Sequence, residues 1–231
     1  VSGNQRTIIG TTTHLYKINT GTAVDLTGAT VPTGATDDHW RFVVFREGTI
    51  SKVIATNDTN VIQVYNEESG GTFADLTNAP TSARALLILA NRLVALHITD
   101  TGLKPTRIKW TAVNASTNWP ALAVANLSDA DDHIIVAMNI NRLSAVIYRD
   151  KSQWMMTAQT GTDATAFRFE HLNDSPGPLS AACVIPFAKI HYYLARDLRV
   201  YRFDGHNSVP VSDPVTQVVY TALSPLAVTL T

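Results

Sequence analysis

Seven histidines and one cysteine are the side chains of this sequence that could bind a transition metal. The histidines are spread along the whole chain, with no His-x-His and no His-x-x-x-His pair. Cys183 lies in the apolar run Ala182–Ile185, where we expect a buried and unreactive thiol. A single cysteine also excludes an internal disulfide and a cysteine-based zinc site. We therefore expect neither a metal nor any other cofactor.

The densest group of carboxylates is the run Ser128–Asp132, which has three aspartates within four residues. Calcium prefers oxygen ligands, but an EF-hand loop also needs a glycine and a distal glutamate, and this run has neither. The pair Asp37 and Asp38 precedes Trp40 in the same way that the run precedes His133. We interpret both groups as solvated turns before a strand. A pair of glycosidase carboxylates on separate strands stays open as an alternative.

Signatures of nucleophilic catalysis and of phosphate binding are absent from the sequence, which has no G-x-S-x-G, no G-x-x-x-x-G-K-[S/T] and no G-x-G-x-x-G motif. We therefore predict no catalytic residue and a protein that is not an enzyme.

Eighteen basic and nineteen acidic side chains give a net charge of −1, which excludes the strongly basic domain expected of a dedicated nucleic-acid binder. Apolar runs such as Ala85–Ala90 are far shorter than the roughly 20 residues of a membrane span.

The elements that must position these side chains are predicted to be β-strands. Thr, Ser, Val, Ile and aromatic residues dominate, and short apolar runs of four to eight residues alternate with stretches rich in Asn, Asp, Gly and Pro. Apolar positions at helical spacing are scarce. With 45% apolar and 16% charged residues, the chain has the composition of a folded protein.

An internal repeat of about 50 residues organises these strands. Three pairs of segments match at offsets of 50, 50 and 47: Asp25–Ala29 with Asp75–Ala79, Asn91–Leu93 with Asn141–Leu143, and Tyr148–Asp150 with Ala195–Asp197. Chance similarity has no reason to repeat its spacing. We therefore expect Leu93 and Leu143 to take equivalent inward positions on the second strands of neighbouring units.

A unit of about 40–50 residues with about four strands is typical of a β-propeller blade. We predict an all-β fold, a β-propeller-like array of four-stranded antiparallel blades, with about four full units plus a partial one. The alternative is an irregular β-sandwich with accidental repeats. The units are predicted near 7–35, 39–80, 84–128, 133–174 and 181–214, in a single domain that we expect to be part of a longer chain.

Several segments resemble, in the same order, parts of the β-propeller tail proteins of short-tailed bacteriophages. They are Lys104–Thr111 followed by Asn118–Pro120, Asn141–Asp150 leading to Gln153 and Trp154, Phe167–Glu170, and Tyr193–Asp197 with Val200–Gly205. The likeness spans roughly residues 40 to 215. One departure is Leu198, which stands where the family has a glycine. Another is the charged pair Asp150-Lys151, which stands where the family has a turn of small residues.

The resemblance implies a virion structural protein of the tail hub or nozzle, similar to the packaged-DNA stabilisation type. Such proteins are commonly arranged as a six-fold ring below the portal and adaptor. This chain would then help to form the channel for DNA ejection and a docking surface for tail spike or needle proteins. A net charge near zero suits a channel through which double-stranded DNA passes without sequence-specific binding, because dense basic contacts would hold the phosphates.

The alternative function is a carbohydrate-binding or carbohydrate-cleaving propeller that acts on host surface glycans, with tryptophans as stacking platforms. We favour a structural role for these rings, because each stands beside or within a predicted strand. The predicted structural anchors are Trp40, Trp110, Trp119, Trp154, Leu93, Leu143 and Tyr201.

Overall fold

The computed structural model describes residues 7–36, 38–187 and 189–212. These residues contain β-strands, two single-turn 3₁₀ helices at Asp163–Thr165 and Ala181–Cys183, and no α-helix. The strands are β1 (Thr7–Gly10), β2 (Leu15–Asn19), β3 (Thr22–Asp25), β4 (Arg41–Glu47), β5 (Ile50–Thr56), β6 (Gln63–Asn66), β7 (Ala74–Asp75), β8 (Ser82–Leu89), β9 (Arg92–Thr99), β10 (Leu103–Trp110), β11 (Val124–Asn126), β12 (Ile134–Asn139), β13 (Ser144–Arg149), β14 (Gln153–Ala158), β15 (Phe167–Asn173), β16 (Val184–Phe187), β17 (Ile190–Leu194), β18 (Val200–Phe203) and β19 (Ser208–Pro210).

The described strands form five sheets, and within each sheet every strand pairs antiparallel with the strands next to it in the sequence. Sheet 1 contains β1–β3, sheet 2 β4–β7, sheet 3 β8–β11, sheet 4 β12–β15 and sheet 5 β16–β19. The prediction of an all-β chain with four full four-stranded units and one partial unit is confirmed. Four sheets lie within the predicted unit bounds, whereas sheet 3 begins at Ser82, two residues before the predicted start at 84.

The chain divides into two compact units. Of the described residues, the first unit contains those within Val1–Ala130 together with Thr160–Ala166, and the second contains those within Asp131–Gln159 and Phe167–Thr231. The first unit therefore contains sheets 1 to 3 and the second contains sheets 4 and 5. Apolar side chains fill the core of each, with Phe45, Ile54 and Leu93 among those buried in the first and Tyr193 and Phe203 among those buried in the second.

The last strand of each of the first two sheets ends in the same way. Leu26 and Leu76 directly follow β3 and β7, and both side chains are buried. The N–H of Leu26 donates to the carbonyl of Leu15 at 2.8 Å, and the N–H of Leu76 donates to that of Ile62 at the same distance. The 50-residue offset between Asp25–Ala29 and Asp75–Ala79 thus corresponds to equivalent positions in neighbouring sheets.

The expectation that Leu93 and Leu143 take equivalent inward positions on second strands is wrong, although their carbonyl groups make corresponding hydrogen bonds. The carbonyl of Leu93 accepts a hydrogen bond from Thr111, and that of Leu143 accepts one from Ala158, each at the end of the third strand. However, the Leu93 side chain is fully buried, whereas that of Leu143 is 57% exposed.

The length of the preceding turn explains this difference. The β8–β9 hairpin has a two-residue turn, with positive φ at Ala90 and Asn91, so Leu93 pairs with Ile88 inside the ladder. In sheet 4 the β12–β13 ladder stops at the pair of Asn139 with Ala145. Leu143 therefore lies in the loop, with no first-strand residue beside it.

Two glycines occupy places where the backbone approaches another backbone segment too closely for a side chain. A Cβ atom at Gly28 would lie 1.7 Å from the carbonyl oxygen of Phe73, and one at Gly177 would lie 1.7 Å from that of Arg149. Hydrogen bonds fix both approaches, since Phe73 donates its N–H to Leu26 at 2.7 Å and Gly177 donates to Asp150 at 3.0 Å. Only glycine fits at these two positions.

Gly28→Ala and Gly177→Ala should each destabilise the protein by about 3 kcal/mol, because the new methyl group forces the backbone apart. Urea unfolding followed by circular dichroism measures the change. The control is Gly48→Ala, whose Cβ would meet no atom and whose positive φ of 63° costs only about 1 kcal/mol. Equal losses in all three variants would show that the close approach does not matter.

Leu198 has a φ of 62°, in the left-handed region that favours glycine. It lies in the β17–β18 turn, where its N–H donates to the carbonyl of Ala195 at 3.0 Å. The backbone here therefore takes the conformation that a glycine would adopt without strain.

Leu198→Gly should leave the stability unchanged or raise it by up to about 1 kcal/mol, because relief of the left-handed strain offsets the loss of a half-buried side chain. Thermal unfolding measures the effect. The matched variant is Leu194→Gly on the neighbouring strand, which should clearly destabilise. A similar loss in both variants would contradict the interpretation of strain at Leu198.

Candidate functional site

The seven predicted anchors differ in how far they are buried. Trp110, Trp119, Leu93 and Tyr201 are buried, Trp40 and Trp154 are half-buried, and Leu143 is exposed. A ring that stacks on a sugar must present a face to solvent. Trp110 and Trp119 therefore cannot act as sugar platforms without a rearrangement of the core.

Trp110 joins the third sheet to the segment Thr160–Ala166 of the same unit. Its indole N–H donates to the carbonyl of Asp163 at 2.7 Å. The Asp163 carboxylate accepts a hydrogen bond from the buried guanidinium of Arg92 at 2.7 Å, and that guanidinium also donates to the carbonyl of Thr111 at 2.8 Å. These contacts give the buried Arg92 guanidinium an ion-pair partner. They also anchor the segment Thr160–Ala166, which is distant in the sequence from the third sheet.

Glu47, Lys52 and Ser116 form a polar cluster in the first unit. The ammonium of Lys52 pairs with the Glu47 carboxylate and lies 3.0 Å from the hydroxyl of Ser116, which in turn donates to Glu47 at 2.8 Å. Burial tends to raise the pKa of Glu47, but the hydrogen bonds from Lys52 and Ser116 outweigh it and lower that pKa.

A serine beside a lysine is the arrangement of a Ser–Lys nucleophile pair. Here the hydroxyl of Ser116 is directed to a carboxylate, the ammonium of Lys52 is held in an ion pair, and Ser116 is fully buried. The carbonyl of Ser116 also accepts the indole N–H of Trp119 at 3.0 Å. The geometry is that of a structural cluster.

Asp132 corrects the interpretation of the acidic run as a solvated turn. It is buried and lies beside the equally buried Arg149, whose Nε atom is 2.6 Å from the Asp132 carbonyl and 3.4 Å from its carboxylate. The same carboxylate accepts hydrogen bonds from the N–H of Lys151 at 2.6 Å and from the hydroxyl of Ser152. The run therefore ends in a buried ion pair that fixes the β13–β14 turn. Asp37 lies outside the described residues.

A row of buried aromatic rings fills the core of the second unit. The hydroxyl oxygen of Tyr148 lies 2.8 Å from Nδ1 of His191, and Nε2 of His191 lies 3.2 Å from the carbonyl oxygen of Asn139. Tyr193 accepts a hydrogen bond from the Gln153 amide at 2.7 Å. Tyr201 stacks on Tyr193 with the ring centroids 5.4 Å apart.

Burial disfavours the charged forms of these rings and shifts their pKa values accordingly. It raises the pKa of Tyr148, and it raises those of Tyr193 and Tyr201 to about 12. The same cause lowers the pKa of His191 below its ordinary value of 6.5. Tyr148 is therefore a protonated donor to the neutral His191, whose other nitrogen donates to Asn139. Every ring polar group in this arrangement has a partner.

The stability of the protein should fall as the pH is lowered below about 6.5, because the unfolded chain binds a proton at His191 that the folded chain refuses. The loss approaches about 1.4 kcal/mol per pH unit from this one group, until the pH reaches its folded pKa. Urea unfolding between pH 8 and pH 5 measures it. His191→Gln, which cannot titrate, should flatten this dependence, and an unchanged slope in that variant would contradict the assignment.

Sheet 5 carries an exposed apolar face. Ile185, Tyr192, Arg202 and Val209 are aligned across its four strands, with side chains on the same face, and Phe187 lies two residues beyond Ile185. Ile185 is 65% exposed, Phe187 70% and Val209 51%. The opposite face packs into the core of the second unit. We call these five residues the outer face of sheet 5.

Sequence reasoning missed this face, although β16 contains a signal for it. The four residues of β16, Val184–Phe187, are apolar without alternation. Such a strand is typical of a sheet that is covered on both sides.

Cys183 was expected to be buried in an apolar strand, and this expectation is wrong. It belongs to a 3₁₀ turn before β16 and is half-buried, and its sulfur lies 3.3 Å from the hydroxyl of Ser180.

Among residues 7–36, 38–187 and 189–212, no cluster of three or more His, Cys, Asp or Glu side chains has the geometry to hold a metal ion. The same part of the chain has no helix long and apolar enough to cross a membrane.

No model of a known protein family and no curated protein matches the sequence. Among solved structures, virginiamycin B lyase from Staphylococcus aureus matches 87% of this chain and 63% of its own, with a TM-score of 0.53 and 8% identity. That protein is a β-propeller. The chain is a propeller-like array of four-stranded blades.

Two further solved structures are similar. The computationally designed Ika8 protein matches 91% of the chain and 62% of its own length, with a TM-score of 0.52 and 13% identity. The N-terminal domain of Nup159 matches 88% of the chain and 59% of its own, with a TM-score of 0.49 and 9% identity. The chain spans about three fifths of the length of each of these structures. The likeness to virginiamycin B lyase and to Ika8, at TM-scores of 0.53 and 0.52 and at identities this low, shows only the fold.

Proposed function

We propose that the protein is a structural subunit of a bacteriophage tail, located in the virion as part of the hub or nozzle, and that its role is not catalytic. The resemblance to the tail proteins supports this, because the matching segments lie on successive hairpins of sheets 3, 4 and 5. The left-handed backbone at Leu198 supports it further, since the family has a glycine there.

The outer face of sheet 5 is the observation that carries the proposal. An exposed group of large apolar side chains on a regular strand surface is typical of a contact with another protein. Here it includes one cation, Arg202, between Tyr192 and Val209, and arginine is among the residues enriched in such interfaces together with aromatic side chains. A subunit of a ring needs such a surface, since closed symmetry is the usual solution for repeated subunits.

In the proposed assembly the subunits form a homo-oligomeric ring, six-fold as in the resembling proteins, between the portal and adaptor and the tail spike or needle. DNA passes through the ring during ejection. The net charge of −1 supports passage without retention, because affinity for the phosphate backbone grows with the number of phosphates that are neutralised.

The oligomeric state tests the assembly surface. The wild-type chain should form a ring in solution, and Phe187→Asp should convert it to monomers, because a buried unpaired carboxylate is costly. Val44→Asp is the matched control, since Val44 is 65% exposed on sheet 2 and lies outside the proposed contact. Light scattering after gel filtration gives the mass. A monomeric wild-type chain at all concentrations, or a ring that survives Phe187→Asp, would contradict the role of this face.

Imaging of labelled virions tests the location. The label should mark the tail in the symmetry of the ring. A label on the capsid alone, or its absence from the particle, would overturn the proposal, and specific binding to a glycan array together with hydrolysis would favour the carbohydrate alternative.

A further inference from the structure

The first described strand, β1, has an edge with which no other described strand pairs. Sheet 1 has the order β1-β2-β3, whereas each of the other sheets has four strands. The N–H of Thr11 donates to the carbonyl of His14 just beyond the β1–β2 ladder. Because hydrogen-bonded and non-bonded pairs alternate in an antiparallel ladder, Thr7 and Ile9 bond to β2.

Ile8 and Gly10 consequently direct their N–H and C=O groups away from β2. The described part of the chain supplies no hydrogen-bond partner for these four groups. An edge of this kind is a template for a further strand.

A groove runs beside this edge. Its volume is about 470 Å³, within the usual range of binding pockets, and residues Ile8–Thr12 line one side of it. Asp38, His39 and Trp40 line the other side, together with Phe42. The indole of Trp40 is fixed there by a hydrogen bond of 2.8 Å from its N–H to the carbonyl of Thr11.

Gly10 makes this groove possible. A Cβ atom at Gly10 would lie 2.2 Å from Cδ1 of Trp40, so any side chain there would displace the ring. The Trp40 ring therefore covers the face of the strand at Gly10, and the backbone edge beside it stays open. An apolar wall next to a row of main-chain donors and acceptors matches an extended polypeptide, in which main-chain groups and side chains alternate.

We propose that the open edge of β1 binds an extended segment of a partner protein by β-strand addition. The added strand hydrogen-bonds to Ile8 and Gly10 and lays alternate apolar side chains against Trp40 and Phe42. Since β3 corresponds to β7, β1 corresponds to β5, the second strand of sheet 2. The added strand therefore takes the position of a first strand, which β4, β8, β12 and β16 occupy in the other four sheets. The Asp38 carboxylate at the groove favours a cationic residue in the segment. This site shares no residue with the outer face of sheet 5 and does not depend on the ring.

A peptide with the sequence of β4, Arg41–Glu47, is the probe, because that segment already fills the corresponding place in sheet 2. With blocked ends and a fluorescent label, it should bind the full chain with saturable anisotropy. A second peptide with prolines in place of both central valines is the control, since it cannot present an unbroken edge. Equal binding of the two peptides would show that β-strand addition is not involved.

Ile8→Pro removes the N–H that faces the groove and leaves the hydrogen bonds to β2 in place. Proline is tolerated at a position of an edge strand whose N–H points away from the neighbouring strand. It should weaken binding of the peptide about tenfold or more, whereas Ile8→Val should bind as the wild type does. A wild-type affinity in Ile8→Pro would overturn the proposal.

Amide hydrogen exchange on the full wild-type chain gives a readout that needs no variant. The amides of Ile8 and Gly10 should exchange rapidly in the free protein, the amide of Ile9 should be protected, and the peptide should slow the first two. Protection of Ile8 and Gly10 without peptide would mean that the edge is already covered, and no slowing with peptide would mean that the peptide does not pair there. Either result would overturn the proposal.

Discussion

The need to cover both faces of each sheet is the constraint on which this structure depends. A four-stranded antiparallel sheet with apolar residues on both faces gains little stability by itself, because each uncovered face leaves its side chains in water. Strand β9 shows the satisfied case, since its residues Arg92–Ile98 are all buried. The outer face of sheet 5 shows the opposite case, with Ile185 and Phe187 mostly exposed. The location of exposed apolar surface therefore follows from which sheet faces still lack a partner.

Hydrogen bonds and ion pairs compensate the buried arginines of the described residues for the loss of water, whereas Nδ2 of Asn57 and Nδ2 of Asn60 are buried without a hydrogen-bond partner there. The clearest cases are Arg149, which pairs with the buried Asp132, and Arg92, which pairs with the partly exposed Asp163, and each arginine lies at the end of a strand. Pairs of this kind add little net stability, but loss of one partner is costly. We infer that these ion pairs determine which turn packs against which strand. Apolar contacts are less directional and therefore specify this pairing less strictly.

The sequence was sufficient to predict the fold class and the repeating units, because alternation and turn residues are local signals and a period can be read by subtraction. It also located the equivalent leucines Leu26 and Leu76. It failed at Leu143, since an offset of 50 does not reveal that the loop before that residue is longer than the turn before Leu93. It failed at Asp132 because the partner that permits burial, Arg149, is 17 residues away. The groove beside β1 depends on contacts of Trp40 with Gly10 and Thr11, which lie about thirty residues apart.

The segment Thr160–Ala166 has a consequence for how the protein is made. It belongs to the first unit, where Asp163 contacts Trp110 and lies 71 residues beyond its other partner, Arg92. Since every sheet is a simple meander, each can form soon after its own strands leave the ribosome. The first unit nevertheless cannot complete its contacts until β12, β13 and β14, which belong to the second unit, have also been synthesised. The two units are interleaved in the gene, and a cut at residue 130 would separate Arg92 from its carboxylate.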